Sequence, residues 1–204
     1  NQLCAQSRDM EELRKNIKSR EEELSLLTGM SQLFHSCADE QALIEIAEMY
    51  FPLIFPTAQG AVYIIEDDET HLKQVYAWGE DIRSEKRFEL HDCQALEQSM
   101  PHSVRSLSDS DLKCSHIKAG GNENLAAFCL PLLSDNQVMG LMFLQAEALP
   151  ETDPKPGMAT ESLSEKTIIA RTVAESIALA LSNIRLRRQL REMAIRDQLT
   201  GLFN

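Results

Sequence analysis

Apolar residues recur every seven positions at the start of the chain, as they do along the contact seam of a coiled coil. Gln6 and Arg20 interrupt the second apolar position of this repeat. The pattern predicts a coiled-coil signalling helix over 1–28 that pairs with a second copy of the chain. The alternative is a single amphipathic helix packed on its own domain. The predicted dimer seam comprises Leu3, Met10, Ile17 and Leu24, with Leu13 and Leu27 at the second apolar position.

Helical and strand-like patterns follow one another through the middle of the chain. A helical apolar face, preceded by residues that can cap a helix, predicts a helix over about 39–54. Two β-hairpins are predicted next, the first from 61–65 with 72–78 and the second from 125–133 with 138–145. In the second strand the predicted alternation places one set of side chains on a single face: Leu72, Gln74, Tyr76 and Trp78. The polar stretch between the hairpins carries a short candidate helix at 93–96.

The last quarter of the chain combines a proline-rich loop with a long helical pattern. Three prolines in 150–157 predict a loop, and apolar residues with helical spacing begin at about 162. A helix of this length extends roughly 50 Å, so it is predicted to be a connector leaving the domain. Ile177 and Ile184 are predicted to continue the dimer seam, and the arginines of 185–191 form a basic face.

Charge and composition narrow the functional classes. Lys and Arg total 20 against 32 Asp and Glu, which gives a net charge of -12. A nucleic-acid-binding protein needs a basic surface, so no nucleic-acid partner is expected. Uninterrupted apolar runs are too short to cross a membrane, and no direct membrane insertion is expected. The five scattered cysteines lack CxxC spacing and indicate a reducing, cytoplasmic compartment.

Short phrases around the two hairpins resemble those of GAF domains. Leu53-Ile-Phe-Pro56 precedes Gly60-Ala-Val-Tyr-Ile64, and Cys129-Leu-Pro-Leu132 precedes Val138-Met-Gly-Leu141. The resemblance implies an α+β fold in which an antiparallel sheet is flanked by helices, here over 29–184. The polar stretch is similar to a GAF subtype of bacterial cyclic-di-GMP enzymes at His91-Asp-Cys-Gln-Ala-Leu96, Pro101-His102 and Cys114-Ser-His116.

The end of the chain resembles the segment that opens GGDEF diguanylate cyclase domains. The matching residues are Asp197, Leu199, Thr200, Gly201, Leu202 and Asn204. The resemblance implies that 197–204 begins a GGDEF domain, reached through a linker helix over 185–196 that continues from about 162. The parent protein would then join two GTP molecules into cyclic di-GMP with Mg²⁺. Neither a catalytic residue nor a cofactor of that reaction is expected within this segment, which is predicted not to be an enzyme by itself.

The resemblance assigns the segment a regulatory role. A cyclase that joins substrates held on two protomers depends on how its catalytic domains are placed. The predicted function is therefore to form a homodimer and to transmit a ligand or upstream signal along the connector helix. The alternatives are a ligand-free dimerisation module and a redox or metal sensor built from Cys and His. The parent could also be tethered to the inner membrane through segments upstream.

Candidate binding residues cluster around the polar middle of the chain. A small-molecule pocket between the sheet and the 79–124 loops is predicted, with an unknown ligand. Its candidate residues are Tyr63, Tyr76, Trp78, Cys93, Cys114, His116, Phe128 and Phe143. Thiolate and imidazole ligands could hold zinc, copper or haem iron, with Cys114 and His116 as the leading pair and Cys93, His91 and His102 nearby. No metal is assigned, because buried Cys and His residues commonly have structural roles.

Other ligand classes and catalytic motifs are disfavoured by the residues present. Bilin-binding GAF domains attach the pigment through a Cys followed directly by His, whereas Ser115 separates Cys114 from His116. Cyclic-nucleotide-binding GAF domains carry an Asn-Lys pair, which does not occur in this chain. GxSxG, P-loop, HExxH and GxGxxG motifs are likewise missing from the sequence.

Overall fold

The computed structural model describes residues 2–104, 107, 114–118, 125–147 and 159–195. The side chains of 2–9, 12, 159–166 and 194–195 lie outside that description. The predicted proline-rich loop and the predicted start of a GGDEF domain also lie outside the described residues.

Four helices and six strands make up the described chain. The helices are α1 (Gln2–Ser36), α2 (Glu40–Ile54), α3 (Gln94–Gln98) and α4 (Ala159–Ile195). The strands are β1 (Gln59–Ile65), β2 (His71–Trp78), β3 (Arg87–Glu89), β4 (His102–Val104), β5 (Leu125–Ser134) and β6 (Gln137–Glu147). The two predicted hairpins, the second helix and the long C-terminal helix are confirmed. The three-residue strands β3 and β4 were not predicted, because so short a segment carries no readable periodicity.

The six strands form one antiparallel sheet in the order β3-β2-β1-β6-β5-β4. The two predicted hairpins meet in its centre, where β1 pairs with β6 and Tyr63 lies opposite Leu141. Because strand side chains alternate between faces, the sheet separates two cores. One lies under the long helices, and the other lies under the loops between β2 and β5. The α+β fold with helices flanking an antiparallel sheet is thereby confirmed.

The two long helices and α2 cover one face of the sheet, which we call the helix side. Met30 and Phe34, in the last turns of α1, are buried there beside Phe51 of α2 and Val173 of α4. The predicted boundary between residues 28 and 29 therefore falls inside one continuous helix. The exposed part of α1 and the part packed on the domain belong to one uninterrupted helix.

The apolar stripe of α4 faces the sheet instead of a second copy of the chain. Ile177 and Ile184 are 0% and 8% exposed and belong to the helix-side core, so their prediction as dimer-seam residues is wrong. The sequence spacing could not distinguish a stripe that packs internally from one that pairs helices. A different set of apolar side chains on α4 is exposed: Ile168, Leu179, Leu186, Leu190 and Met193.

Helix α4 is also apolar enough to resemble a membrane span. Its Thr167–Met193 stretch includes an 18-residue window with a mean hydropathy of 1.2, although uninterrupted apolar runs in the sequence are short. In that window, 44% of the residues are buried inside the domain. Packing against the sheet accounts for much of this apolar character.

The turn between β1 and β2 gives a prediction about acid stability. Backbone N–H groups of Thr70 and His71 each donate to Asp68 at 3.0 Å, and these bonds hold the pKa of that carboxyl well below its usual range. A carboxyl whose pKa is lower in the folded state than its unfolded value of about 4 stabilises the fold at pH values above 4. That stabilisation is lost as the pH falls from about 4 toward the folded-state pKa. The Asp68→Asn variant should therefore lose less stability than the wild type between neutral pH and about pH 3. Denaturant titrations across that range test this, and Asp67→Asn, at an exposed neighbouring carboxyl, should behave like the wild type.

Candidate functional site: a buried cysteine and histidine cluster

Four potential metal ligands meet on the face of the sheet opposite the long helices, which we call the loop side. Their donor atoms all lie within 4.8 Å of one another. Each residue is at most 1% exposed, and the described cysteines among them are free thiols. We call this group the Cys/His cluster: Cys93, Cys114, His116 and Cys129.

Strand β5 supplies the member of the cluster that is fixed by the sheet. Ala127 and Cys129 point to the loop side, whereas Leu130 and Leu132 point to the helix side. This is the alternation expected of a strand. The thiol of Cys129 is thus held in place by backbone pairing with β6 and β4.

The segment 114–118 is fixed by hydrogen bonds to the chain before β3. The N–H of Glu85 donates to the carbonyl of His116 at 2.8 Å, and the N–H of Lys118 donates to the carbonyl of Arg83 at 2.9 Å. Ser84 and Ile117 form an isolated antiparallel bridge between these bonds. A short piece of polar chain is therefore held like a strand, which places its ligands under the sheet.

The remaining cysteine, Cys93, lies where a single 3₁₀ turn passes into α3. Asp92, in that turn, accepts a hydrogen bond from Ser115 Oγ at 2.6 Å and another from the N–H of Glu89 at 2.9 Å. The pKa of Asp92 is lowered mainly by the Ser115 hydroxyl and then by the Glu89 amide. Asp92 thereby ties the turn that carries Cys93 to the segment that carries Cys114 and His116.

The imidazole of His116 is held on every side. Its Nδ1 lies 2.9 Å from the buried hydroxyl of Ser84, and its Nε2 lies 3.6 Å from Cys129 Sγ. Phe88 stacks on the ring at a centroid distance of 4.4 Å, and Phe143 approaches its edge at 6.0 Å. The ring orientation is therefore set by packing and by Ser84, with Nε2 directed into the cluster.

The three thiols influence one another's ionisation. Hydrogen bonds from Cys129 and Cys93 hold the pKa of Cys114 well below its usual range, and the backbone amide of Gln94 adds to this effect. Donation to Cys114 raises the pKa of Cys93 to about 12 and that of Cys129 well above its usual value, with burial contributing to both. The ionisation of each thiol therefore depends on the state of the other two.

The residues predicted to line a small-molecule pocket are divided between the two cores. The loop side holds Tyr63, Cys93, Cys114, His116 and Phe143. Tyr76, Trp78 and Phe128 pack on the helix side. Trp78 lies there 5.0 Å from the ring of Phe51 and donates from Nε1 to the carbonyl of Ala58 at 3.1 Å. One pocket cannot include both sets.

A β-bulge explains why the predicted alternation along β2 is wrong. Val62 pairs with Tyr76, but the next residue, Tyr63, pairs with Gln74, so Val75 is an extra residue in β2. An extra residue shifts the side-chain alternation that follows it. Leu72 consequently faces the loop side, while Tyr76 and Trp78 face the helix side.

Sequence reasoning missed Cys129 as a member of the cluster and included two histidines that lie apart from it. Cys129 sits in an apolar strand, and nothing in the sequence distinguishes it from an ordinary core residue. His91 is exposed, and its Nδ1 lies 3.3 Å from Glu97 Oε1. His102 is half-buried on β4. One clue was available in the sequence. Alternate residues of β5, including Cys129, point to the face of the sheet that the loops cover.

Structural comparisons match this architecture to GAF domains. The nlh2 GAF domain of A. aeolicus is 12% identical with a TM-score of 0.61, covering 82% of this chain and 98% of that one. The GAF domain of the Escherichia coli potassium sensor histidine kinase KdpD is 14% identical with a TM-score of 0.54, over 82% and 98% of the two chains. A free methionine-R-sulfoxide reductase of Neisseria meningitidis, in complex with its substrate, is 14% identical with a TM-score of 0.61, over 81% and 91%.

The chain therefore has the fold of GAF domains. Proteins with this fold include both sensor domains and enzymes such as the reductase. No protein-family model matches the sequence, and no curated protein matches it.

Proposed function

We propose that the chain is the regulatory domain of a diguanylate cyclase and passes a signal through α4 to a GGDEF domain. The observation that carries the proposal is the continuity of α4. This helix is packed in the domain core over 170–184 and runs without a break to Ile195. The motif that resembles the start of a GGDEF domain begins at Asp197.

Two arginines connect the exit of α4 to the rest of the domain. Arg185 Nη2 donates to the carbonyl of Ile65, at the end of β1, at 3.1 Å. Arg187 Nη1 donates to the carbonyl of Cys37, just after α1, at 3.1 Å. Two arginines of the basic segment therefore attach α4 to the rest of the domain. A movement of the sheet or of α1 would be transmitted to the direction in which α4 leaves the domain.

The exposed apolar residues of the long helices support a homodimer. At 3.6 residues per turn, the five on α4 fall within about 60° of one face. Met10, Leu13, Ile17 and Leu24 of α1 also fall within about 60°. Such stripes favour pairing of helices between two copies. A signal that binds one pairing geometry more tightly than another would shift the equilibrium toward the first geometry. The size of the shift is set by the difference between the two affinities.

Replacing Leu186 by Glu should weaken dimerisation by at least about 100-fold, since burying a leucine contributes about 1.5–3 kcal/mol and a symmetric dimer contains two copies. Sedimentation equilibrium measures the dissociation constant. Arg191→Glu is the matched control, because it adds more negative charge about 140° away around the same helix. Equal dissociation constants for Leu186→Glu and the wild type, or a wild type that is monomeric throughout, would contradict the proposed interface.

The cyclase assignment is tested with the complete gene product. With GTP and Mg²⁺ it should form cyclic di-GMP, and inserting two residues into α4 after Met193 should change the rate by altering the phase of the helix. Failure of the complete protein to convert GTP, or a downstream sequence without the glycine-rich signature loop of cyclases, would contradict the assignment. If the enzyme is active and the insertion leaves its rate unchanged, the result would favour a dimerisation module that transmits no signal.

A further inference from the structure

We propose that the Cys/His cluster binds one Zn²⁺ ion in a closed, four-coordinate site. The inference concerns the domain itself and does not depend on the attachment of a cyclase. The zinc would join the turn before α3, the 114–118 segment and β5, which are separate in sequence.

The donor set is the first argument for zinc. Three cysteine sulfurs and one imidazole nitrogen form a Cys₃His set, which is a common structural zinc site. Soft thiolates favour zinc over Mg²⁺ and Ca²⁺, which prefer oxygen ligands. All four residues are buried. A site with four protein ligands and no opening to solvent holds a metal for structure instead of activating a bound water.

The spacing of the donor atoms is the second argument. Tetrahedral zinc with Zn–S of about 2.3 Å and Zn–N of about 2.0 Å separates sulfur from nitrogen by about 3.5 Å, and two sulfurs by about 3.8 Å. Cys129 Sγ and His116 Nε2 are 3.6 Å apart, and the whole set lies within 4.8 Å. Each pair of donor atoms thus needs to approach by no more than about 1.3 Å to surround the ion.

The groups behind the ligands are the third argument. His116 Nδ1 lies 2.9 Å from Ser84 Oγ, and in the tautomer that donates the Nδ1 proton to this hydroxyl the lone pair of Nε2 is directed to the cluster. Metal-binding histidines commonly have such a partner on the other ring nitrogen.

Binding of zinc would change the protonation of the three thiols without any change in oxidation state. Each cysteine binds by releasing its S–H proton to solvent and donating a sulfur lone pair, while neutral His116 donates from Nε2. Three thiolates with Zn²⁺ would give the cluster a net charge of -1. A disulfide between two of the cysteines is the competing state. This disulfide would need an oxidant to accept two electrons. It would leave the third thiol and the imidazole without a metal ion to bind.

Metal analysis of the full 204-residue chain, purified without a histidine tag and dialysed against dilute ZnSO₄, tests the proposal. The expected result is one zinc per chain in the wild type, with affinity at least tenfold weaker in Cys129→Ser and in His116→Gln. Cys37→Ser is the matched control, because Cys37 is another buried free cysteine but lies in the helix-side core. His71→Asn is a second control, since it disrupts the partly exposed Glu66, Asp68 and His71 group. Both controls should retain one zinc.

The buried Ser84 hydroxyl provides a finer test. Ser84→Ala removes the partner of Nδ1 without touching a ligand, and loss of such an outer partner weakens metal binding by about 10–100-fold. Competition with a chromophoric chelator measures the affinity. An unchanged affinity would contradict the proposed role of Ser84 in orienting His116.

Cobalt substitution tests the site in the wild type, so that misfolding of a variant cannot obscure the result. One equivalent of Co²⁺ should produce the intense visible bands of tetrahedral cobalt together with thiolate-to-cobalt charge transfer, and Zn²⁺ should abolish both. Three outcomes would overturn the proposal: no stoichiometric metal in the wild type, an octahedral cobalt spectrum, or a disulfide among the cluster cysteines after purification under reducing conditions.

Discussion

Removing zinc should lower the midpoint of thermal unfolding by about 8–16 °C. A ligand that binds only the folded state at 1,000 times its dissociation constant contributes about 4 kcal/mol. In a chain of 150–250 residues each kcal/mol shifts the midpoint by about 2–4 °C. The four ligands come from three separate segments of the loop side, so the metal closes two long loops of the chain. Scanning calorimetry with zinc and with a strong chelator measures the shift.

Two variants determine whether that shift originates in the cluster. Cys37→Ser should retain the full difference between zinc and chelator, whereas Cys129→Ser, which binds zinc more weakly, should show a smaller difference. The metal-free chain should keep most of its helical circular dichroism, because the helix-side core contains no cluster residue. The same midpoint for the wild type with zinc and with chelator would contradict a structural role for the metal.

Gly140→Ala should destabilise the fold by about 3 kcal/mol or more, at the upper end of the cost of overpacking. Gly140 lies on β6 between β1 and β5, opposite Ile64 and Leu132. A Cβ added there would clash with the backbone carbonyl oxygen of Tyr63. Neither backbone can move away without separating β1 from β6 in the centre of the sheet. Urea unfolding measures the loss.

Gly29→Ala is the matched control for that substitution. Gly29 lies within α1, and an added Cβ would meet only the hydroxyl end of the Tyr50 side chain at 3.0 Å. That end can move, and alanine in a helix interior is favoured over glycine by about 0.5–1 kcal/mol. The control should be at least as stable as the wild type. A Gly140→Ala variant within about 1 kcal/mol of the wild type would show that the sheet centre is more compliant than its geometry indicates.

The main elements could be predicted because their periodicities are long and regular. Both hairpins, the helix over 39–54 and the C-terminal helix follow from alternation and from helical spacing. The side of α4 that faces the core could not be predicted, since Ile177 and Leu179 both belong to apolar repeats. Only the packed structure shows that Ile177 meets the sheet while Leu179 is exposed.

The candidate site was harder to predict than the fold. Cys93, Cys114 and His116 could be selected because reactive residues stand out in a polar stretch. Cys129 could not, because assigning it requires the register of β5 and the face that the loops cover. The bulge at Val75 is equally invisible in the sequence, yet it moves Tyr76 and Trp78 to the opposite face.

Strand β5 connects the cluster with the proposed output helix. Cys129 points to the cluster, while its neighbour Leu130 is buried in the helix-side core that includes α4. The metal and the connector helix would therefore act on opposite faces of the same strand. This arrangement offers a physical route by which order on the loop side could influence α4.

The most direct test of the account is anomalous X-ray diffraction at the zinc absorption edge on crystals of the chain. One peak is expected inside the Cys/His cluster, about 2.3 Å from three sulfurs and about 2.0 Å from His116 Nε2. Data collected just below the edge should lose that peak. A crystal grown with zinc that shows no anomalous density there, with a disulfide or a water between the same side chains, would contradict it.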